Sequence, residues 1–206
     1  MNPRMKPFAG ARLLAATAAL ALSSLQALAA PEAAPPLPVT ALPTLNIPAY
    51  MGTWYQVAWF PNRFQKQCVS DTAATYRRLP AGEGVEVINR CRLEDGSLDS
   101  VTGLARPADS VIRGDQLEPA RLEVSFLPRL LRWIPAWGDY WVMQRADDGR
   151  YVVIGEPSRQ YLWVLSRTPR LAPADETAIR SQLVQQAYDL TRWQAHLHTP
   201  TAEAPR

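Results

Sequence analysis

The chain has 206 residues, of which 47% are hydrophobic, with 19 prolines, two cysteines and 22 Lys and Arg against 19 Asp and Glu. Arg4, Lys6 and Arg12 fall within the first 29 residues, which hold no acidic side chain, so the remainder carries 19 basic against 19 acidic residues. Binding to a phosphate backbone needs a surplus of positive charge on one face, and no nucleic-acid partner is therefore expected.

Residues 1–29 read as a secretory signal. The three basic residues precede a mainly apolar run from Leu13 to Leu22, ten residues long, about half of the ~20 needed to span a bilayer as a helix. Ala27-Leu28-Ala29 offers small residues at the two positions read for cleavage, so a mature chain starting near Ala30 is expected. A lipoprotein signal needs a cysteine at that point, and the first cysteine is Cys68. The expectation is a periplasmic or secreted product, soluble after cleavage and without a lipid anchor.

Residues 30–48 are rich in proline and carry one charge, Glu32, the composition of an extended linker. A folded domain is expected over residues 49–193, where short β-rich runs alternate with Gly, Pro and Asp clusters. Eight runs stand out: Thr53–Phe60, Asp71–Leu79, Val85–Leu93, Ser100–Arg106, Arg121–Phe126, Tyr140–Arg145, Tyr151–Gly155 and Gln160–Arg167. Gly82, Gly84, Gly96 and Gly149 lie in the intervening turns, where a positive φ is needed. After Thr168-Pro169 the period changes, and Pro173 to Tyr188 places Ile179, Leu183, Val184 and Ala187 at helical spacing. One helix on the outside of a sheet follows, then a flexible tail over residues 194–206. Periodicity leaves the choice between a sandwich and an up-and-down barrel open.

Export bears on Cys68 and Cys91, since an oxidising compartment lets one pair persist as a disulfide. A bridge is expected. Two free buried thiols are the alternative.

Gly52-Thr53-Trp54-Tyr55 in the first run, Asp147-Asp148-Gly149-Arg150-Tyr151 before the seventh, and Ser166-Arg167 at the end of the eighth resemble, in order, the three signatures of the lipocalin family. The similarity is to its bacterial and apolipoprotein D-like branch. It implies an all-β fold, an eight-stranded antiparallel up-and-down barrel with one C-terminal helix packed outside. It further implies that Gly52, Trp54, Tyr151 and Arg167 are structural, with the Arg167 guanidinium over the Trp54 ring at the closed end.

In a barrel, alternate side chains face inward. Alternation from Trp54 puts Gln56, Ala58 and Phe60 inside. Alignment of the other strands by the family pattern adds Ala74 and Tyr76, then Val85, Val87 and Asn89, then Val101, Gly103 and Ala105. The far half adds Leu122, Val124 and Phe126, then Tyr140 and Val142, Val152 and Ile154, and Tyr161 and Trp163. Ala58, Ala74, Gly103 and Ala105 are too small to fill a core, and a few polar tips in a mostly apolar lining suit a lipid pocket. The expected function is binding, transport or storage of a fatty acid, lysophospholipid or similar lipid in the cell envelope. The segment Leu127–Trp137, placed by the resemblance at the open mouth, interleaves Arg129 and Arg132 with apolar residues and reads as a lid or as a transient membrane-surface contact.

No catalytic constellation is visible: there is no Gly-x-Ser-x-Gly, His-Glu-x-x-His, phosphate loop or dinucleotide motif. No cofactor and no metal are expected, because His196 and His198 alone make a poor site. Two alternatives stand beside the lipid carrier: a tetrapyrrole or carotenoid carrier, and a lumenal-thiol enzyme using Cys91.

Overall fold

The computed structural model describes residues 35–80 and 84–200. The expected signal segment, its cleavage site and residues 201–206 lie outside them.

The eight expected runs are eight strands, with ends moved by at most a few residues: β2 (Gly52–Trp59), β3 (Ser70–Arg78), β4 (Val85–Arg92), β5 (Leu98–Pro107), β8 (Arg121–Ser125), β9 (Gly138–Arg145), β10 (Tyr151–Gly155) and β11 (Leu162–Ser166). Each pairs antiparallel with the next, and β11 pairs back onto β2, so the sheet closes into a barrel. Closure leaves no long edge exposed. A short excursion at the closed end was not visible in the sequence. There β1 (Leu45–Asn46), β7 (Gln116–Glu118) and β6 (Val111–Arg113) form a separate three-stranded sheet.

Two apolar layers result. One fills the lower barrel, with Trp54, Tyr76, Val87, Leu122, Val142 and Ile154 among its members. The other lies outside, where α2 (Pro173–Gln185) sets Ile179 and Leu183 on Val153, Leu162 and Val164. Pro173 starts this helix without forfeiting a needed donor. Arg150 pins its first turn, donating through Nε to Asp175 Oδ2 at 2.8 Å and through Nη2 to Asp175 Oδ1 at 2.5 Å. Of the helical positions read from the sequence, Val184 is exposed, and Ala187 lies beyond the helix end in the left-handed region at φ +57.

Two expectations at the domain's edges are corrected. The described part of the 30–48 segment is no free linker: Leu37 N donates to Gln185 O and Leu42 N to Val142 O, while Leu45 and Ile47 are buried. Proline-rich chain cannot join a sheet interior, but its other residues can still hydrogen-bond along the outside. A helical turn, α1 (Ile47–Tyr50), then leads into β2. The tail is likewise not loose through Pro200. Its β12 (Gln194–Ala195) pairs with β2, His196 N donates to Val57 O, and Asp71 N donates to Leu197 O. The tail thus fills the place where β2 and β3, paired only from Gly52 to Tyr55, have parted.

Candidate ligand-binding lumen

The closed end is built from the three signature segments. Arg167 lies over Trp54 with its guanidinium carbon 3.6 Å from the ring centroid. It also donates to the carbonyls of Thr53 (2.9 Å), Ala49 (2.7 Å) and Met51 (2.9 Å). Burial takes the Arg167 pKa below its ordinary value. Gly52 sits at φ +92, in the left-handed region, so the backbone conformation favours glycine. The Trp54 indole donates to Tyr50 O at 2.8 Å.

Above this plug three phenols converge from α1, β3 and β9. Tyr140 Oη is 2.5 Å from Tyr50 Oη and 2.8 Å from Tyr76 Oη. Burial pushes the Tyr76 hydroxyl up to about 12 and those of Tyr50 and Tyr140 well above their ordinary value, so all three stay neutral. Beside this floor is a cavity of about 40 Å³ lined by Leu45, Ile47, Tyr76, Ala105 and Leu117 among others.

Strand pairing places most of the expected lining together. Ala74 opposes Asn89, which opposes Val101; Tyr76 opposes Val87, which opposes Gly103; Val85 opposes Ala105, which opposes Val124. The Phe126 ring covers Gly103 so closely that a Cβ there would meet it at 2.7 Å. Leu122 faces Tyr140, Ile154 faces both Val142 and Trp163, and Val152 belongs to the same interior layer. Tyr161 stacks on Trp163, with centroids 5.9 Å apart. Toward the mouth the lining opens: Val101 is 46% exposed, and Asn89, Val124, Tyr161 and Trp163 are half-buried.

Ala58 and Phe60 are not in the lumen. They pack with Tyr188, Val164 and Leu183 in the outer layer. The cause is a bulge: Val164 opposes Ala58 but Leu165 opposes Gln56, so β2 carries one extra residue, Val57, and the alternation reverses beyond it. Trp59, opposite Trp163, therefore shares the inward face. Sequence reasoning also missed Gln65 from the loop after β2, which accepts from the Trp163 indole at 2.9 Å and donates to Gln56 Oε1 at 3.0 Å. Nothing local in the sequence marks the bulge or this reach.

Cys68 and Cys91 form a disulfide, and there is no free cysteine, which removes the lumenal-thiol alternative. Both histidines are engaged by the tail's docking. Thr72 N donates to His196 Nε2 at 3.3 Å, and His198 Nε2 lies 2.8 Å from Gln56 O. In the Leu127–Trp137 segment, between β8 and β9, Leu130 is 86% and Trp133 80% exposed. Arg106 stacks on Trp137 at 3.8 Å and fixes its far end.

Residues 45–198 match the family described as Lipocalin-like domain. The chain is 37% identical over 163 residues to temperature-induced lipocalin-1 of Arabidopsis thaliana, covering 78% of this chain and 82% of that protein. It is 30% identical over 183 residues to outer membrane lipoprotein Blc of Escherichia coli, covering 88% and 95%. Among solved structures, lobster apocrustacyanin A1 superposes with a TM-score of 0.56 at 17% identity, over 75% of this chain and 81% of that one.

Proposed function

Because the chain belongs to the lipocalin-like family, whose members bind small hydrophobic ligands in the barrel, we propose that it carries a fatty acid, lysophospholipid or similar lipid and performs no chemistry on it. The observation that carries this reading is the graded lumen. A plug of Trp54 and Arg167 and a floor of three neutral tyrosines lie under a lining of Ala74, Val87, Gly103 and Phe126 that opens to solvent at Val101. Burying ~12 methylenes of an acyl chain at about 0.8 kcal/mol each gives a gross ~10 kcal/mol before association costs. The disulfide fits assembly in an oxidising compartment, in keeping with export to the periplasm or beyond.

The exposed Leu130 and Trp133, flanked by Arg129 and Arg132, support a second element of the proposal: transient contact of the mouth with an anionic membrane surface rather than closure of a lid. The test of the carrier reading is mass spectrometry of the organic extract of protein isolated natively, together with titration of delipidated protein. A stoichiometric acyl lipid is expected. An empty extract with no saturable binding of any amphiphile would refute it.

A further inference from the structure

Gln56 is 2% exposed, and it shares the inward face with Leu165, its partner across β2 and β11. Its hydrogen bonding has a direction that one group sets. An indole N–H can only donate, so the Gln65 atom it meets is Oε1, which turns Gln65 Nε2 toward Gln56 and makes the Gln56 atom it meets Oε1 as well. The orientation of both amides is thereby fixed. What remains is Gln56 Nε2, a buried donor with no partner. Thr72 Oγ1, on the face of β3 that carries Ala74, is a second buried polar atom without one. Unsatisfied buried donors are rare and destabilising, and an apolar lumen that keeps one is matched to an acceptor that arrives with the ligand.

The charge of that acceptor follows from its surroundings. The inward positions from the mouth to the tyrosine floor include no Lys or Arg; Arg78, opposite Val85, lies beyond the floor with its side chain 47% exposed. A carboxylate drawn down to Gln56 would lose its hydration with no cation to compensate. An ester, amide or alcohol oxygen has no such penalty.

Resting on the carrier reading, we propose that the Gln56 carboxamide, oriented through Gln65 by Trp163, is a lumenal subsite for an uncharged acceptor oxygen, so that the ligand is an acyl ester, amide or alcohol in preference to a free fatty-acid carboxylate. An acyl ester suits this site because its headgroup can stay at the mouth, where Val101 is exposed.

The test uses the full mature chain at pH 8. N-phenyl-1-naphthylamine, which lacks an oxygen acceptor, reports on the lumen, and it is displaced in turn by methyl decanoate and by decanoate. Gln56→Leu is expected to weaken methyl decanoate three- to tenfold, the range of one lost neutral hydrogen bond. Binding of the naphthylamine and of decanoate should stay within twofold. A Gln56→Leu variant that weakens all three probes equally, or none of them, overturns the subsite while leaving the carrier reading intact. Wild-type protein that binds no probe overturns both. Trp163→Phe, which removes the donor that orients the relay, guards against a Gln56 variant that fails to fold, and the same selective loss is expected; an unselective result there also overturns the subsite.

Discussion

Arg167 and Trp54, 113 positions apart, meet at 3.6 Å, and that guanidinium simultaneously ties down three carbonyls of the chain entering the barrel at residues 49–53. The pair closes the barrel because the last strand's end lies beside the first strand's start, as the β11–β2 pairing requires.

Arg167→Ala is therefore expected to cost about 3 kcal/mol, combining a partly desolvated cation–π contact with hydrogen bonds from a charged donor. Urea denaturation measures the loss. Lipid affinity of the folded fraction should be nearly unchanged, since the contact lies beneath the tyrosine floor; a hundredfold drop would show that Arg167 touches ligand.

Two tryptophan insertions should separate the open and filled parts of the lumen. Val101→Trp, at the half-exposed mouth, should reduce lipid affinity at least tenfold with little change in melting temperature. Ala105→Trp, buried beside a cavity of only about 40 Å³, should instead destabilise by roughly 1–3 kcal/mol through overpacking. Equal stability losses in both would mean that the mouth is already packed.

The loop between β8 and β9 should bind vesicles. Flotation with anionic phosphatidylglycerol vesicles is expected to retain wild-type protein, less so at high salt. Leu130→Glu with Trp133→Glu should release it without lowering the melting temperature, because both side chains face solvent in the free protein. Retention of the double variant would place the contact elsewhere.

The docked tail should make stability depend on pH. Burial, with repulsion from His198, lowers the His196 pKa to about 4 from an ordinary 6.5. A depressed base favours the neutral folded form. Its contribution is thus complete above about pH 6.5 and is lost as pH falls toward 4. Asp71 acts lower: although burial opposes it, bonds from Arg92 and Thr199 hold its carboxyl well below the usual carboxylate range. His196→Gln, whose amide oxygen can still accept from Thr72 N, should flatten the melting-temperature profile between pH 6.5 and 4. An unchanged slope would assign it to another group.

The amino-acid sequence by itself determined eight strands and the outer helix, and the resemblance carried by its three signature segments implied their meeting at the closed end of a barrel. These are encoded locally, by alternation, turn glycines and short motifs whose physical demands fall on adjacent residues. The tertiary structure alone decided which side of the wall Ala58 and Phe60 occupy, since one extra residue at Val57 reverses every later position and only the partner strand reveals it. It also decided the fates of the proline-rich lead-in and the His196–His198 tail. Neither has a pattern of its own, and each becomes ordered by hydrogen bonds supplied by distant strands: Val142 for Leu42, Val57 for His196, Asp71 for Leu197. The Trp163–Gln65–Gln56 relay belongs to the same class, because it joins three elements up to 107 positions apart, and its one free donor exists only once all three are in place.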